Sequence, residues 1–166
     1  MRTCIALGSN LGDRAAHMAA GRDFAFSLHA GNDAPLCSGL YETDPVDCAP
    51  DTAPFLNAVL EIESQDDAGE LLRRLRGFEA AAGRAGARGK NSPRPIDLDL
   101  LYMQELRNDS PSLQLPHPRM TSRRFVLQPL ADIRPHLVLP GQNLTVAALL
   151  SLLPAAPAVR LVARTW

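Results

Sequence analysis

Apolar residues recur along the chain with a period of two in some windows and of three to four in others. Residues 55–62 (FLNAVLEI) alternate: Leu56, Ala58, Leu60 and Ile62 fall on one face, Phe55, Asn57, Val59 and Glu61 on the other. That is the pattern of a half-buried strand. Residues 96–102 (IDLDLLY) alternate likewise, which assigns Ile96, Leu98, Leu100 and Tyr102 to the core face and Asp97, Asp99 and Leu101 to the opposite one. Residues 3–7 (TCIAL) and 37–43 (CSGLYET) read as further strands. Met18, Gly21, Ala25 and Leu28 follow helical spacing behind a capping Asp13 and stop at Gly31-Asn32. Leu71, Leu75, Phe78 and Ala82 do the same behind the capping pair Asp67 and Glu70, and end at Gly83.

The order is β-α-β-β-α-β, the split βαβ or ferredoxin-like arrangement of the α+β class. It predicts an antiparallel sheet with its helices mainly on one face, in one domain spanning 1–166. A polar loop follows the strand at 96–102, then the stretch LPHPRMTSRRFVLQPLADI with no assigned element. The last part, 144–159, reads as a short buried helix, a Pro-rich turn and a final strand. It is uncharged, but it is interrupted by Pro154 and Pro157 and falls short of the roughly 20 apolar residues of a membrane span.

Composition narrows the function classes. The chain has 166 residues, 17 Lys and Arg against 18 Asp and Glu, and so a net charge of −1. That length supports one core without staples, and the balance argues against a protein that coats nucleic acid. Cys4, Cys37 and Cys48 give neither a zinc spacing nor paired bridges, and read as reduced thiols. The first ten residues hold too short an apolar run for a secretory leader. A soluble, cytoplasmic protein is expected.

The chemistry is concentrated in two places. Asp97 and Asp99 project from one strand face about 6.5–7 Å apart at Cα, where they repel each other unless cations lie between; such a pair can clamp Mg²⁺. Arg84, Arg88, Lys90 and Arg94 precede it in a Gly/Pro-punctuated loop, and Arg119, Arg123 and Arg124 follow His117. Cations flanking a D-x-D pair point to a polyphosphate bridging metal and guanidinium. GRAGARGKN is not a Walker A loop: five residues separate Gly83 from Gly89, and Asn91 stands where Ser or Thr is needed. On the strand at 55–62, Phe55 beside Asn57 offers a flat surface and a paired donor and acceptor, which suits a planar heterocycle.

The segments GSNLGD, FLNAVLEIE, Glu79–Arg84 (Glu-x3-Gly-Arg), PRPIDLDLL and LPHPRMTSRRFVLQPL occur in this order. Together they make the chain resemble the 6-hydroxymethyl-7,8-dihydropterin pyrophosphokinase family over nearly its full length. The resemblance implies transfer of pyrophosphate from ATP to the pterin hydroxymethyl group in folate biosynthesis, releasing AMP. It implies that Asp97 and Asp99 bind two Mg²⁺ ions with ATP. Arg84 and Arg94 match loop arginines that engage the phosphates during transfer, and His117 and Arg123 match further ATP contacts. Thr43, Phe55, Asn57 and Phe125 fall where the family holds the pterin between two aromatic rings. A monomer with no nucleic-acid or membrane partner is expected.

The loop departs from that pattern. Asn91 stands where members often have Trp, Gly86 and Lys90 where arginines are common, and Ser92 where Gly precedes Pro-Arg. Asp44 replaces a small residue or Pro after Thr43. Two alternatives stay open: a slow or inactive paralogue that binds pterin and ATP, and an RNA-binding ferredoxin-like module. The carboxylate pair argues against the second, since it would repel a phosphate backbone.

Overall fold

A computed structural model describes residues 1–45, 52–83 and 93–166. The central sheet contains β1 (Arg2–Ser9), β2 (Leu36–Cys37), β3 (Leu40–Thr43), β4 (Phe55–Glu63), β5 (Asp97–Met103) and β8 (Val159–Ala163). Its order is β5-β1-β4-β3-β8, with β2 also on β4, and every pairing is antiparallel. Helices α1 (Arg14–Ser27) and α2 (Ala68–Ala81) provide the two crossovers of the ferredoxin-like core.

Both helices start at the expected caps. The Asp13 carboxylate accepts from Ala16 N at 3.0 Å, and that of Asp67 accepts from Glu70 N at 2.8 Å. Such caps satisfy amides that the first turn leaves unpaired. Met18, Gly21 and Ala25 of α1 and Leu71 and Leu75 of α2 are buried against Ile5, Leu7, Leu56, Leu60 and Leu98 of the sheet. Gly21 lets α1 sit close, since a Cβ there would lie 3.2 Å from Ile96 Cδ1. Phe24 stacks on Phe78, ring centroids 4.4 Å apart, and so joins the two helices.

Several elements differ from the sequence expectation. The strand expected at 37–43 is two, broken at Ser38-Gly39. There the Ser38 hydroxyl accepts from Val59 N at 2.9 Å, and Gly39 N donates to Asp132 at 3.1 Å. Tyr102 faces away from the α1/α2 core, because the register of β5 on β1 slips between Cys4 and Ile5. Leu101 is the extra residue of a bulge, so Leu101 and Tyr102 both pack on the second face. The polar loop after β5 contains a hairpin, β6 (Asn108–Ser110) with β7 (Leu113–Leu115). In the unassigned stretch, a short 3₁₀ turn (Met120–Ser122) leads into helix α3 (Arg124–Ile133). The tail is α4 (Val146–Leu152), a turn and β8, but α4 is only half sunk: Val146 is buried while Leu152 is 70% exposed.

Helices α3 and α4 form a partial second layer. Val126, Leu127 and Leu130 pack with Val146 on Cys4, Val59, Leu101 and Tyr102. Under this layer, Glu61 accepts from Tyr102 Oη at 2.5 Å and from Arg134 Nε at 2.9 Å. Tyr41 Oη donates to Asp132 at 2.8 Å, a second tie between α3 and the sheet. A hollow remains on this face, between the end of β3 and the start of α3. None of the described helices is long and apolar enough to cross a membrane.

Candidate functional site

The hollow is a cavity of about 330 Å³ on the second face of the sheet, at the low end of the range of ligand pockets. Its floor is Ala6 and Gly8 of β1, flanked by Asn57 of β4 and by Asp97 and Asp99 of β5. Small residues make the floor. A Cβ on Gly8 would reach to 3.6 Å from Asn57 Oδ1 and 3.9 Å from Asp97 Cβ, filling the space between them. The walls come from the end of β3, from the start of α3 and from Pro157 ahead of β8.

One end of the cavity is aromatic and amide-bearing. Phe55 and Phe125 line it from β4 and α3. Asn57 is 7% exposed and donates to Thr43 Oγ1 at 2.8 Å, which fixes the amide plane. The cross-strand pairing of Thr43 with Phe55 and Tyr41 with Asn57 sets these side chains abreast on the pocket face.

The other end is charged. Arg94 Nη2 lies 3.3 Å from Asp97 Oδ2, and Arg123 Nη1 lies 3.9 Å from Asp99 Oδ2. Arg123 also sits 5.5 Å over the Phe125 ring, joining the two ends of the site. The placement of Arg94 starts at β1: Asn10 Oδ1 accepts from Arg94 N at 2.9 Å, and Asn10 N donates to Arg94 O at 3.3 Å. Ser9 Oγ, Asn10 Nδ2 and Arg94 Nε are buried without a hydrogen-bond partner among the described residues. Glu79, 3% exposed at the end of α2, accepts from Leu98 N at 2.7 Å and so fixes the strand between the two aspartates.

A divalent cation fits this donor set. Mg²⁺ is held by one or two carboxylates, with its remaining positions taken by water and phosphate oxygens. Asp97 and Asp99 provide two such carboxylates, 20% and 43% exposed to the cavity side. Among the described residues, no three His, Cys, Asp or Glu come together as a protein-only metal cage.

Of the residues singled out in the sequence, Thr43, Phe55, Asn57, Arg94, Asp97, Asp99, Arg123 and Phe125 all line this one cavity. His117 is not among the lining residues. Its backbone N donates to Leu101 O at 2.7 Å, and its Nδ1 accepts from Arg119 N at 3.2 Å, which leaves the ring proton on Nε2. Burial holds the His117 pKa below the ordinary value; Asp99 opposes the shift, and Arg123 and Arg119 add to it. Arg84, Arg88, Lys90, Asn91, Ser92 and Cys48 lie outside the described residues.

Asp44, Arg119, Ser122, Arg124 and Pro157 also line the cavity. The basic cluster at 119–124 signalled two of them, and the unusual residue after Thr43 signalled a third. Nothing in the sequence signals Pro157, which arrives from the far end of the chain. Arg124 is partly structural, since it donates to Leu153 O at 3.2 Å and to Pro154 O at 3.3 Å at the end of α4.

A family model described as 7,8-dihydro-6-hydroxymethylpterin-pyrophosphokinase matches residues 4–135. A Bacillus subtilis protein named 2-amino-4-hydroxy-6-hydroxymethyldihydropteridine pyrophosphokinase is 40% identical over 131 residues, 78% of this chain and 75% of that one. A Pseudomonas aeruginosa protein of the same name is 38% identical over 144 residues, 86% of this chain and 87% of that one. Among solved structures, an HPPK-DHPS complex with substrates superposes with a TM-score of 0.69 at 12% identity, over 90% of this chain. The HPPK-DHPS of Plasmodium falciparum gives a TM-score of 0.65 at 15% identity. The chain spans less than half the length of these two structures, 42% and 43%, and the likeness to them is one of fold.

Proposed function

The chain belongs to the 7,8-dihydro-6-hydroxymethylpterin-pyrophosphokinase family, and from that membership we propose how its pocket moves pyrophosphate from ATP to 6-hydroxymethyl-7,8-dihydropterin in folate synthesis. The reading is carried by one observation: an aromatic–amide end and a carboxylate–guanidinium end open into a single cavity. Two substrates of unlike chemistry, a flat heterocycle and a polyphosphate, then meet above Gly8.

The hydroxymethyl oxygen forms a bond to the β-phosphorus as the bond from that phosphorus to the α,β-bridging oxygen breaks. AMP leaves with the electron pair, and the hydroxyl proton passes to solvent. Phosphoryl chemistry of this kind asks a protein mainly for positioning and charge neutralisation. Phe55 and Phe125 hold the pterin by its faces, and the Asn57 amide, oriented by Thr43, reads its edge. Asp97 and Asp99 would hold the two Mg²⁺ ions expected with ATP. Bound there, Mg²⁺ neutralises phosphate charge and lowers the pKa of the attacking hydroxyl. Arg94 and Arg123 stand beside those carboxylates and stabilise charge growing on the bridging oxygen. The family resemblance adds Arg84 to the phosphate contacts and His117 to those with ATP. No side-chain general base is required.

The test is AMP release from ATP, pterin and Mg²⁺ by the native chain and by Asp97→Ala. Pterin-dependent AMP is expected from the native chain, with a loss of at least about 10²-fold in the variant. ATP binding without pterin-dependent AMP from the native chain would sink the transferase reading and leave a binding paralogue.

A further inference from the structure

Behind the pterin end of the cavity, on the α1 face of the sheet, lies a row of alternating charges that the reaction does not use. Arg160 of β8 pairs across the strands with Glu42 of β3. Its guanidinium grips Asp44 with both nitrogens, Nη2 at 2.8 Å from Oδ1 and Nη1 at 3.4 Å from Oδ2. The same Nη2 lies 3.8 Å from Glu42 Oε1. Glu42 Oε2 accepts from Arg14 Nη1 at 3.0 Å, and Arg14 Nη1 also donates to Pro54 O at 2.7 Å. The row therefore runs from Asp44 through Arg160 of β8 and Glu42 of β3 to Arg14 at the start of α1, and ends on Pro54, the residue before Phe55.

Its two ends coincide with the two ends of the β3–β4 connection. The chain leaves the sheet at Asp44, next to Thr43, and returns at Pro54, next to Phe55. Thr43 and Phe55 are cross-strand partners on the pocket face, and Asp44 itself lines the cavity. Arg160 holds the Asp44 carboxyl below the ordinary carboxylate range through its hydrogen bonds and charge. The strand of Arg160 also reaches the cavity, since Pro157, two residues before β8, forms part of its wall.

We infer that Arg160 is a positioning residue for the pterin end of the site, acting through Asp44, with Arg14 holding the opposite end of the same connection. The inference rests on the pterin reading above. It gives a reason for an acidic residue directly after Thr43, because an apolar residue there could not be held from β8. An isolated exposed ion pair is worth little. Here the contact is two-pronged and continues through Glu42 to a backbone carbonyl, so that breaking it frees the wall that Thr43 and Phe55 share.

The experiment measures pterin affinity by the pterin's own fluorescence, with Mg²⁺ and a non-hydrolysable ATP analogue, for the native chain, Arg160→Gln, Asp44→Asn and the double variant. Steady-state rates run alongside. Each single variant is expected to weaken pterin binding about 3–5-fold, with the KM for ATP unchanged. The double variant is expected to be no worse than either single, because both remove one contact. The charge swap Asp44→Arg with Arg160→Asp is expected to regain most of the affinity. Unchanged pterin affinity in both single variants would overturn the inference. So would additive losses in the double variant, or an equal rise in the KM for ATP. A native chain that binds pterin but makes no AMP would overturn the transfer reaction alone, and the affinities would still decide the clamp. A native chain that binds no pterin would overturn both.

Discussion

Gly8 shows how little a single residue needs to do to define the site. It contributes no atoms beyond its backbone, yet a side chain there would occupy the gap between Asn57 and Asp97, the place proposed for the meeting of the two substrates. Gly8→Val suits a strand by propensity and touches none of the α1/α2 core. The expected outcome is a fall of about 10²-fold in pterin-dependent AMP, as for misplaced reacting groups. The melting temperature should stay within a few degrees of native. A variant with near-native turnover would mean that the substrates do not meet above β1. At this scale the sequence was legible wherever alternation ruled. Asn57, Phe55, Asp97 and Asp99 share the pocket face because each lies an even number of residues from its neighbour on that strand. Tyr102 departs from that alternation because one extra residue, Leu101, reverses the parity beyond it.

Among the elements, α3 links structure to site. Its first residues carry Phe125 to the cavity, with Arg123 just ahead, and its C-cap, Arg134, is fastened to the 5%-exposed Glu61. Arg134→Met removes the cation and leaves the Glu61 carboxylate buried with Tyr102 as its remaining donor. Breaking a fully buried pair costs about 3–5 kcal/mol. Arg134 is 35% exposed, so about 2 kcal/mol is expected, read as a lowered urea midpoint with weakened pterin binding. An unchanged midpoint would show that the helix is held by Leu127 and Leu130 alone. The sequence concealed this helix for a physical reason. Pro129 lies inside it, and proline lacks the amide that an interior turn uses and disfavours helix in the residue before it. Packing of Val126, Leu127 and Leu130 on the sheet outweighs that penalty, and such packing cannot be read from local pattern. The break at Ser38-Gly39 was hidden likewise, because it depends on Asp132 more than ninety residues later.

For the whole molecule, the displaced ionisations set a pH window. Burial and the neighbouring Asp132 push the Tyr41 hydroxyl up to about 12 from 10.0. A raised folded value means stability that is complete below the unfolded value and is lost as pH rises through the folded one. His117 is displaced downward by burial. The unfolded chain therefore takes up the proton first, and stability falls as pH drops below about 6.5. Urea midpoints are expected to be flat with respect to these two groups between about pH 6.5 and 10 and to decline on both sides. Tyr41→Phe should reduce the alkaline slope without abolishing it, since burial also raises Cys37 and Cys4. His117→Gln should reduce the acid slope. An alkaline slope unchanged in Tyr41→Phe would refute the first assignment.

The sheet itself has a consequence for how such a chain can change over time. Its two faces are addressed by alternate letters of the same few words: Ile5 and Leu7 beneath α1, Ala6 and Gly8 beneath the cavity. Heritable variation at one parity is judged by how much folded protein survives, and variation at the other by what that protein can make. Drift in the first set need not disturb the second, so the helix-covered layer can diverge widely between lineages while the neighbouring letters stand still. The bulge at Leu101 marks the place on β5 where that reading frame changes.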